Sequence, residues 1–168
     1  MERLELVRKE VDAILLEQID DEVRRNGYVH LYGVAQLCSM LALKRKLDVE
    51  LCTIIGLLHD IFSYKFGYSK DHGMLGANEA EKMLKDLNVF TVKEIEIVKN
   101  AIRHHSEKKN KHDKYCELIK DADAMQNRLY QPYTETKHEK RVKKAFKSFG
   151  LKLKFSNKKP ESIPDFIS

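Results

Sequence analysis

The chain is poor in the residues that interrupt or cross-link a fold: its 168 residues include only three prolines, seven glycines and three cysteines. Cys38, Cys52 and Cys116 are far apart, form no Cys-x-x-Cys pair and each stand among apolar neighbours. That argues against a thiolate metal site or a disulfide framework and reads as buried free thiols of a reducing compartment. No run of 18 apolar residues occurs, so no membrane-spanning helix is expected. The start, Met1-Glu2-Arg3-Leu4-Glu5, is charged and lacks the apolar centre of a secretory signal, which points to the cytoplasm. Alternating strand patterns, internal repeats and low-complexity segments are also missing.

What fills the chain instead is helical periodicity. Apolar residues recur at a spacing of three and four over segments near residues 3–18, 28–46, 49–62, 72–87, 92–105, 114–130 and 137–149, which predicts an all-α, compact bundle of about seven helices. Thr91-Val92-Lys93-Glu94 has the form of a capping box, and Asp48 is placed to cap the third helix. The length suits one domain, expected over 1–150, with 151–168 as a tail that is loosely attached from Ser156 onward, where Pro160 and Pro164 stand without helical period.

The most informative feature is where the third helix ends. Leu51-Cys52-Thr53-Ile54-Ile55-Gly56-Leu57-Leu58 is apolar almost throughout and is followed at once by His59-Asp60. A helix C-terminus carries a partial negative charge, so an ionised aspartate there needs a cation. None of the next four residues supplies one; a bound metal ion would. Upstream, His30 shares an inward stripe with Val34, Leu37 and Leu41, and downstream His105 shares one with Ile95, Val98 and Ile102, leaving His104 at its edge. His72 and the acidic stretch Asp121-Ala122-Asp123 complete a set that can converge on one interior. Asp121 and Asp123 lie about 200° apart around a helix and flank its apolar stripe on opposite sides, so periodicity does not choose between them.

His30-Leu31-Tyr32-Gly33-Val34-Ala35, Leu57-Leu58-His59-Asp60-Ile61, His72-Gly73-Met74-Leu75-Gly76-Ala77, Ala101-Ile102-Arg103-His104-His105-Ser106 and Lys120-Asp121-Ala122-Asp123-Ala124-Met125 follow one another in an order that resembles the HD-domain superfamily of metal-dependent phosphohydrolases. The resemblance covers roughly residues 28–130. It implies a helical HD-domain bundle with the metal site in its interior. It also implies His30, His59, Asp60 and Asp123 as metal ligands, with Asp123 preferred to Asp121. His72, His104 and His105 would contact a second ion or a phosphate, with Lys65, Lys70 and Arg103 as candidate phosphate clamps. Asp60, His72 and His105 become the catalytic candidates. Asp60 would bridge two ions if two bind, and His72, His105 and Glu79 could protonate a leaving group.

Imidazole and carboxylate ligands without thiolate suit Mn²⁺, Fe²⁺, Co²⁺, Ni²⁺ or Zn²⁺, as one or two ions. Such an ion lowers the pKa of water and neutralises charge developing on phosphorus, so the expected activity is hydrolysis of a small anionic phosphomonoester or phosphodiester, a nucleotide by preference. Ser63 and Tyr64 follow Ile61-Phe62, where similar families acting on deoxynucleoside monophosphates or guanosine tetraphosphate tend to carry a glutamate three residues after the His-Asp pair, which counts against those substrates. Ser106-Glu107-Lys108-Lys109-Asn110 stands where those acting on cyclic dinucleotides carry Gly-Tyr-Pro.

Charge is uneven. Residues 137–159 carry a balance of +9 in a chain of +5, leaving −4 for the remainder. Val142, Ala145, Phe146 and Phe149 on one side of this segment predict an amphipathic helix packed on the domain with a solvated basic face. The functional alternative is attraction of a polyanion, either a nucleotide or an RNA backbone. A metal- and nucleotide-binding module without turnover is a further alternative. The oligomeric state is not written in the sequence.

Overall fold

A computed structural model describes residues 2–68, 70–132 and 137–152. Eight helices make up the described residues: α1 (Arg3–Leu16), α2 (Asp21–Arg45), α3 (Val49–Leu58), α4 (Ile61–Phe66), α5 (His72–Leu87), α6 (Val92–His104), α7 (Lys114–Tyr130) and α8 (Glu139–Ser148). No helix among the described residues is long and apolar enough to cross a membrane. Each predicted helix is present. The eighth element arises because the segment read as one helix over 49–62 breaks at His59-Asp60, where Asp60 leaves helical geometry (φ −116°, ψ 11°) before the short α4. Periodicity conceals the break because Ile61 is buried and continues the apolar stripe.

The apolar run is the axis of the molecule. Every residue of α3 from Leu51 to Leu58 is buried, as expected of a helix that is hydrophobic all round. α1, α2, α6 and α7 all pack against it, and α5 packs against α6. Each leucine or isoleucine buried this way contributes about 1.5–3 kcal/mol. Local sequence sets the helix starts: the Asp20 carboxylate accepts from Glu22 N and Val23 N, Asp48 from Leu51 N, and Thr91 and Glu94 close the capping box. The Cys38, Cys52 and Cys116 thiols are free and buried. Burial raises the pKa of all three, to about 12 for Cys52 and Cys116, so they stand as apolar fillers rather than nucleophiles.

α8 packs as its periodicity predicts. Val142, Ala145 and Phe146 are buried while Lys140, Lys143, Lys144 and Lys147 are exposed. Two ionic fastenings join it to α7: Arg128 to Glu139 at 3.3 Å, and Arg141 to Glu117 at 3.1 Å and Asp121 at 2.6 Å. Residues 153–159, the end of the basic segment, lie outside the described residues, as does the tail that follows. Phe146→Ala should cost about 3–5 kcal/mol, the usual loss for a buried aromatic, and lower the melting temperature by roughly 10 °C. Charge reversal at Lys143, Lys144 and Lys147 should leave the melt within a degree or two. A Phe146→Ala protein that melts with the parent would show that this face is not part of the core.

Candidate metal centre

Four imidazoles from four elements meet around one carboxylate. His30 comes from the first half of α2, His59 from the end of α3, His72 from the start of α5 and His105 from the residue that closes α6. His30 Nε2 and His59 Nε2 are 3.1 Å apart, and so are His72 Nε2 and His105 Nε2. Asp60 lies between the two pairs. Its Oδ2 is 3.4 Å from both His30 Nε2 and His59 Nε2, and its Oδ1 is 3.1 Å from His105 Nε2 and 3.6 Å from His72 Nε2. The break after α3 is what turns this carboxylate inward.

The outer nitrogens explain the inner ones. His59 Nδ1 donates to Gly56 O at 2.8 Å and His105 Nδ1 to Ile102 O at 2.7 Å. A carbonyl only accepts, so each Nδ1 carries the proton and each Nε2 presents a lone pair to the centre. His30 Nδ1 is held likewise by Gln126 Oε1 at 2.9 Å, while Gln126 Nε2 donates to Val29 O at 3.4 Å. Such outer partners orient imidazoles for metal binding. Lone pairs facing each other at 3.1 Å repel unless a proton or a metal ion lies between them. Asp60 Oδ1 is in addition a buried oxygen without a hydrogen-bond partner. The donor set therefore fits a cation, in two groups that share Asp60: His30, His59 and Asp60, and Asp60, His72 and His105.

Electrostatics agree. Burial opposes ionisation of Asp60, but the imidazoles, His59 first and then His105 and His30, outweigh it and hold the carboxyl well below the usual range. Burial likewise opposes protonation of His30, and Asp60 and Asp123 overcome it, raising its pKa above the usual 6.5. Asp123, on α7, extends the first group. Its Oδ1 is 3.8 Å from His30 Nε2 and its Oδ2 2.5 Å from Lys108 Nζ. Against the cost of burial, Lys108 and then His59 keep its pKa low. Asp121 turns away, into ion pairs with Arg45 and Arg141, and this separates the two aspartates that periodicity left equal.

Several sequence candidates are not brought to the centre. Lys65 and Glu79 pair with each other in a groove against α1, which removes one expected phosphate clamp and one expected acid. Arg103 and Lys70 are exposed and do not line the concavity. His104 sits in a separate cluster, its Nδ1 2.8 Å from Glu107 and its ring stacked on His112 at 4.2 Å. Four lining residues were not among the site candidates of the sequence: Tyr64, Ser106, Lys108 and Asn127. Asn127 follows Asp123 by one helical turn and donates to its Oδ1 at 2.7 Å, a spacing that periodicity could have offered. Burial and the charges of Asp60 and Asp123 push the Tyr64 phenol up to about 12.

A family model described as the HD domain matches residues 27–128, which contain every residue of the centre. The chain belongs to the HD-domain superfamily of metal-dependent phosphohydrolases. This HD domain is 32% identical over 127 residues to Ribonuclease Y of Mycoplasma capricolum subsp. capricolum, a match covering 72% of this chain and 23% of that protein. Ribonuclease Y of Mycoplasma mycoides subsp. mycoides SC is 31% identical, with the same coverage. The chain thus spans about a quarter of the length of these relatives. Among solved structures, a predicted HD superfamily hydrolase from an uncultured Thermotogales bacterium superposes with a TM-score of 0.59 over 84% of each chain, at 22% identity. That likeness concerns the fold.

Proposed function

We propose that this HD domain hydrolyses a phosphomonoester or phosphodiester, a nucleotide by preference, in the concavity over Asp60. The observation that carries this reading is the placement of the two Asp60 oxygens, each turned to its own pair of imidazole Nε2 atoms. His30, His59, Asp60 and Asp123 would hold one divalent transition ion, and Asp60, His72 and His105 a second. Bound there, the ions would activate water and offset charge developing on phosphorus. The chain's own part is to fix the imidazoles through Gly56 O, Ile102 O and Gln126 and to keep Asp60 ionised. Tyr64 would offer a neutral hydroxyl at the rim. His72, the more open of the inner histidines with 27% of its side chain exposed, is the better placed for proton transfer to a leaving group.

A nucleotide is favoured by the ground beyond the centre. A second concavity of about 380 Å³ shares His30, Tyr64 and Asn127 with the first and continues to Arg25, Asn26 and Tyr130. Amides, a guanidinium and an aromatic ring are the groups that hold a base and its sugar. RNA is a second reading of the same site, supported by the likeness to Ribonuclease Y and by the exposed lysines of α8.

Metal-free protein supplied with Mn²⁺, Co²⁺ or Ni²⁺ should hydrolyse members of a panel of nucleoside mono-, di- and triphosphates, cyclic nucleotides and short RNA. A chelator should abolish the activity. Metal-replete protein that is inert across the panel would leave a binding module in place of an enzyme.

A further inference from the structure

We propose that Lys108 is the phosphate-gripping residue of the centre, that it occupies Asp123 only in the cation's stead, and that metal binding transfers its ammonium from Asp123 to the substrate's phosphate. The phosphate half of this proposal rests on the phosphoester reading above; the metal half does not.

Lys108 lies on the loop between α6 and α7. Its side chain is 10% exposed, and its Nζ is 2.5 Å from Asp123 Oδ2 in the concavity that holds His30, Asp60, His72 and His105. Among the described residues lining that concavity it is the one lysine or arginine. A divalent ion held by His30, His59 and Asp60 draws on the Asp123 carboxylate and repels the ammonium, so the two cations compete for one ligand. The displaced ammonium stays close because its backbone is fastened. Arg141 donates to Lys108 O at 3.1 Å while gripping Glu117 and Asp121. Ahead of it, Glu107 is paired with His104 at 2.8 Å, and Lys108 N donates to Ser106 O at 2.9 Å. A lysine with a fixed backbone and a flexible four-carbon stem can change partner without leaving the site. Largely buried beside a filled centre, its charge needs an anion, and a substrate phosphate brings one.

Three proteins decide this: the parent, Lys108→Met, which keeps the stem without the charge, and Lys108→Arg, which keeps the charge. Calorimetric titration of the metal-free proteins with Mn²⁺ should show Lys108→Met binding the ion about tenfold more tightly than the parent, as expected when one charged hydrogen bond no longer competes, with Lys108→Arg near the parent. Titration of the Mn²⁺-loaded proteins with inorganic phosphate should show the reverse order, Lys108→Met weaker by about tenfold or more and Lys108→Arg restored. Lys108→Gln replaces Lys108→Met if thermal melts show that the latter is unfolded. Mn²⁺ affinity that is unchanged or lower in the uncharged variant overturns the competition, and unchanged phosphate affinity overturns the grip. If no phosphoester is turned over by the parent, both titrations still give their answer, so failure of the activity is told apart from failure of Lys108.

Discussion

Asp60→Ala should strip the protein of bound metal and bring hydrolysis to background. No other side chain stands in both ligand groups: Oδ2 faces His30 and His59, and Oδ1 faces His72 and His105. Truncation leaves two pairs of imidazoles with no carboxylate between them. Loss of an outer partner costs a metal site about 10–100-fold in affinity, so removal of the shared ligand should exceed that. Asp60→Asn should behave almost as badly, since the amide keeps the shape but loses the charge, and its N–H2 donates to an imidazole Nε2 whose lone pair the ion needs. Both variants should remain folded, because the Asp60 side chain is partly exposed and is not a member of the apolar core. Elemental analysis of purified protein, with a thermal melt beside it, checks this. Full metal content in Asp60→Ala would mean that the centre is not where the ion resides.

Gly56→Ala should damage the centre from a distance. A Cβ built at Gly56 falls 2.6 Å from Ala35 Cα and 2.9 Å from Ala35 N. Both are backbone atoms of α2, so no side chain can step aside and the two helices must part. Such overpacking costs about 1–3 kcal/mol. The more telling effect is on geometry, because α2 carries His30 and α3 leads into His59, and their Nε2 atoms are matched at 3.1 Å. Gly73 plays the corresponding part where α5 crosses α6: a Cβ there would lie 2.8 Å from Arg103 O, next to His72 and His105. Gly56→Ala should therefore weaken the group of His30 and His59 first, and Gly73→Ala the group of His72 and His105. Metal stoichiometry measured at matched folded fraction separates the two. Equal, parental metal binding in both variants would show that the close crossings do not set the ligand spacing.

Much of the centre can be read along the chain because helical period reports burial. His30 in line with Val34 and Leu41, and His105 in line with Val98 and Ile102, must point inward, and a His-Asp pair ending a helix that is apolar almost throughout must meet something positive. Helix caps were legible for the same local reason: Thr91 with Glu94, and Asp48, each satisfy backbone donors within three residues. Period says which residues share a face, and it is silent on what that face meets. Lys65 and Glu79 were expected at the centre, yet their shared groove belongs to α1. Lys108 escaped notice because a loop has no period, and its position depends on Arg141 reaching back from α8.

The sequence by itself determined the all-helical class, the buried third helix, the packed face of α8 and the inward histidines, since each follows from spacing and burial within one segment. Spacing left Asp121 and Asp123 equal, though the family resemblance preferred Asp123; the tertiary structure sets Asp123 beside His30, and it alone decided that Asp60 faces two imidazole pairs rather than one and that the ammonium at the centre is Lys108. Those outcomes depend on how helices distant in the chain cross and where a helix breaks, and contacts of a few ångströms between such segments are set by packing and not by local propensity.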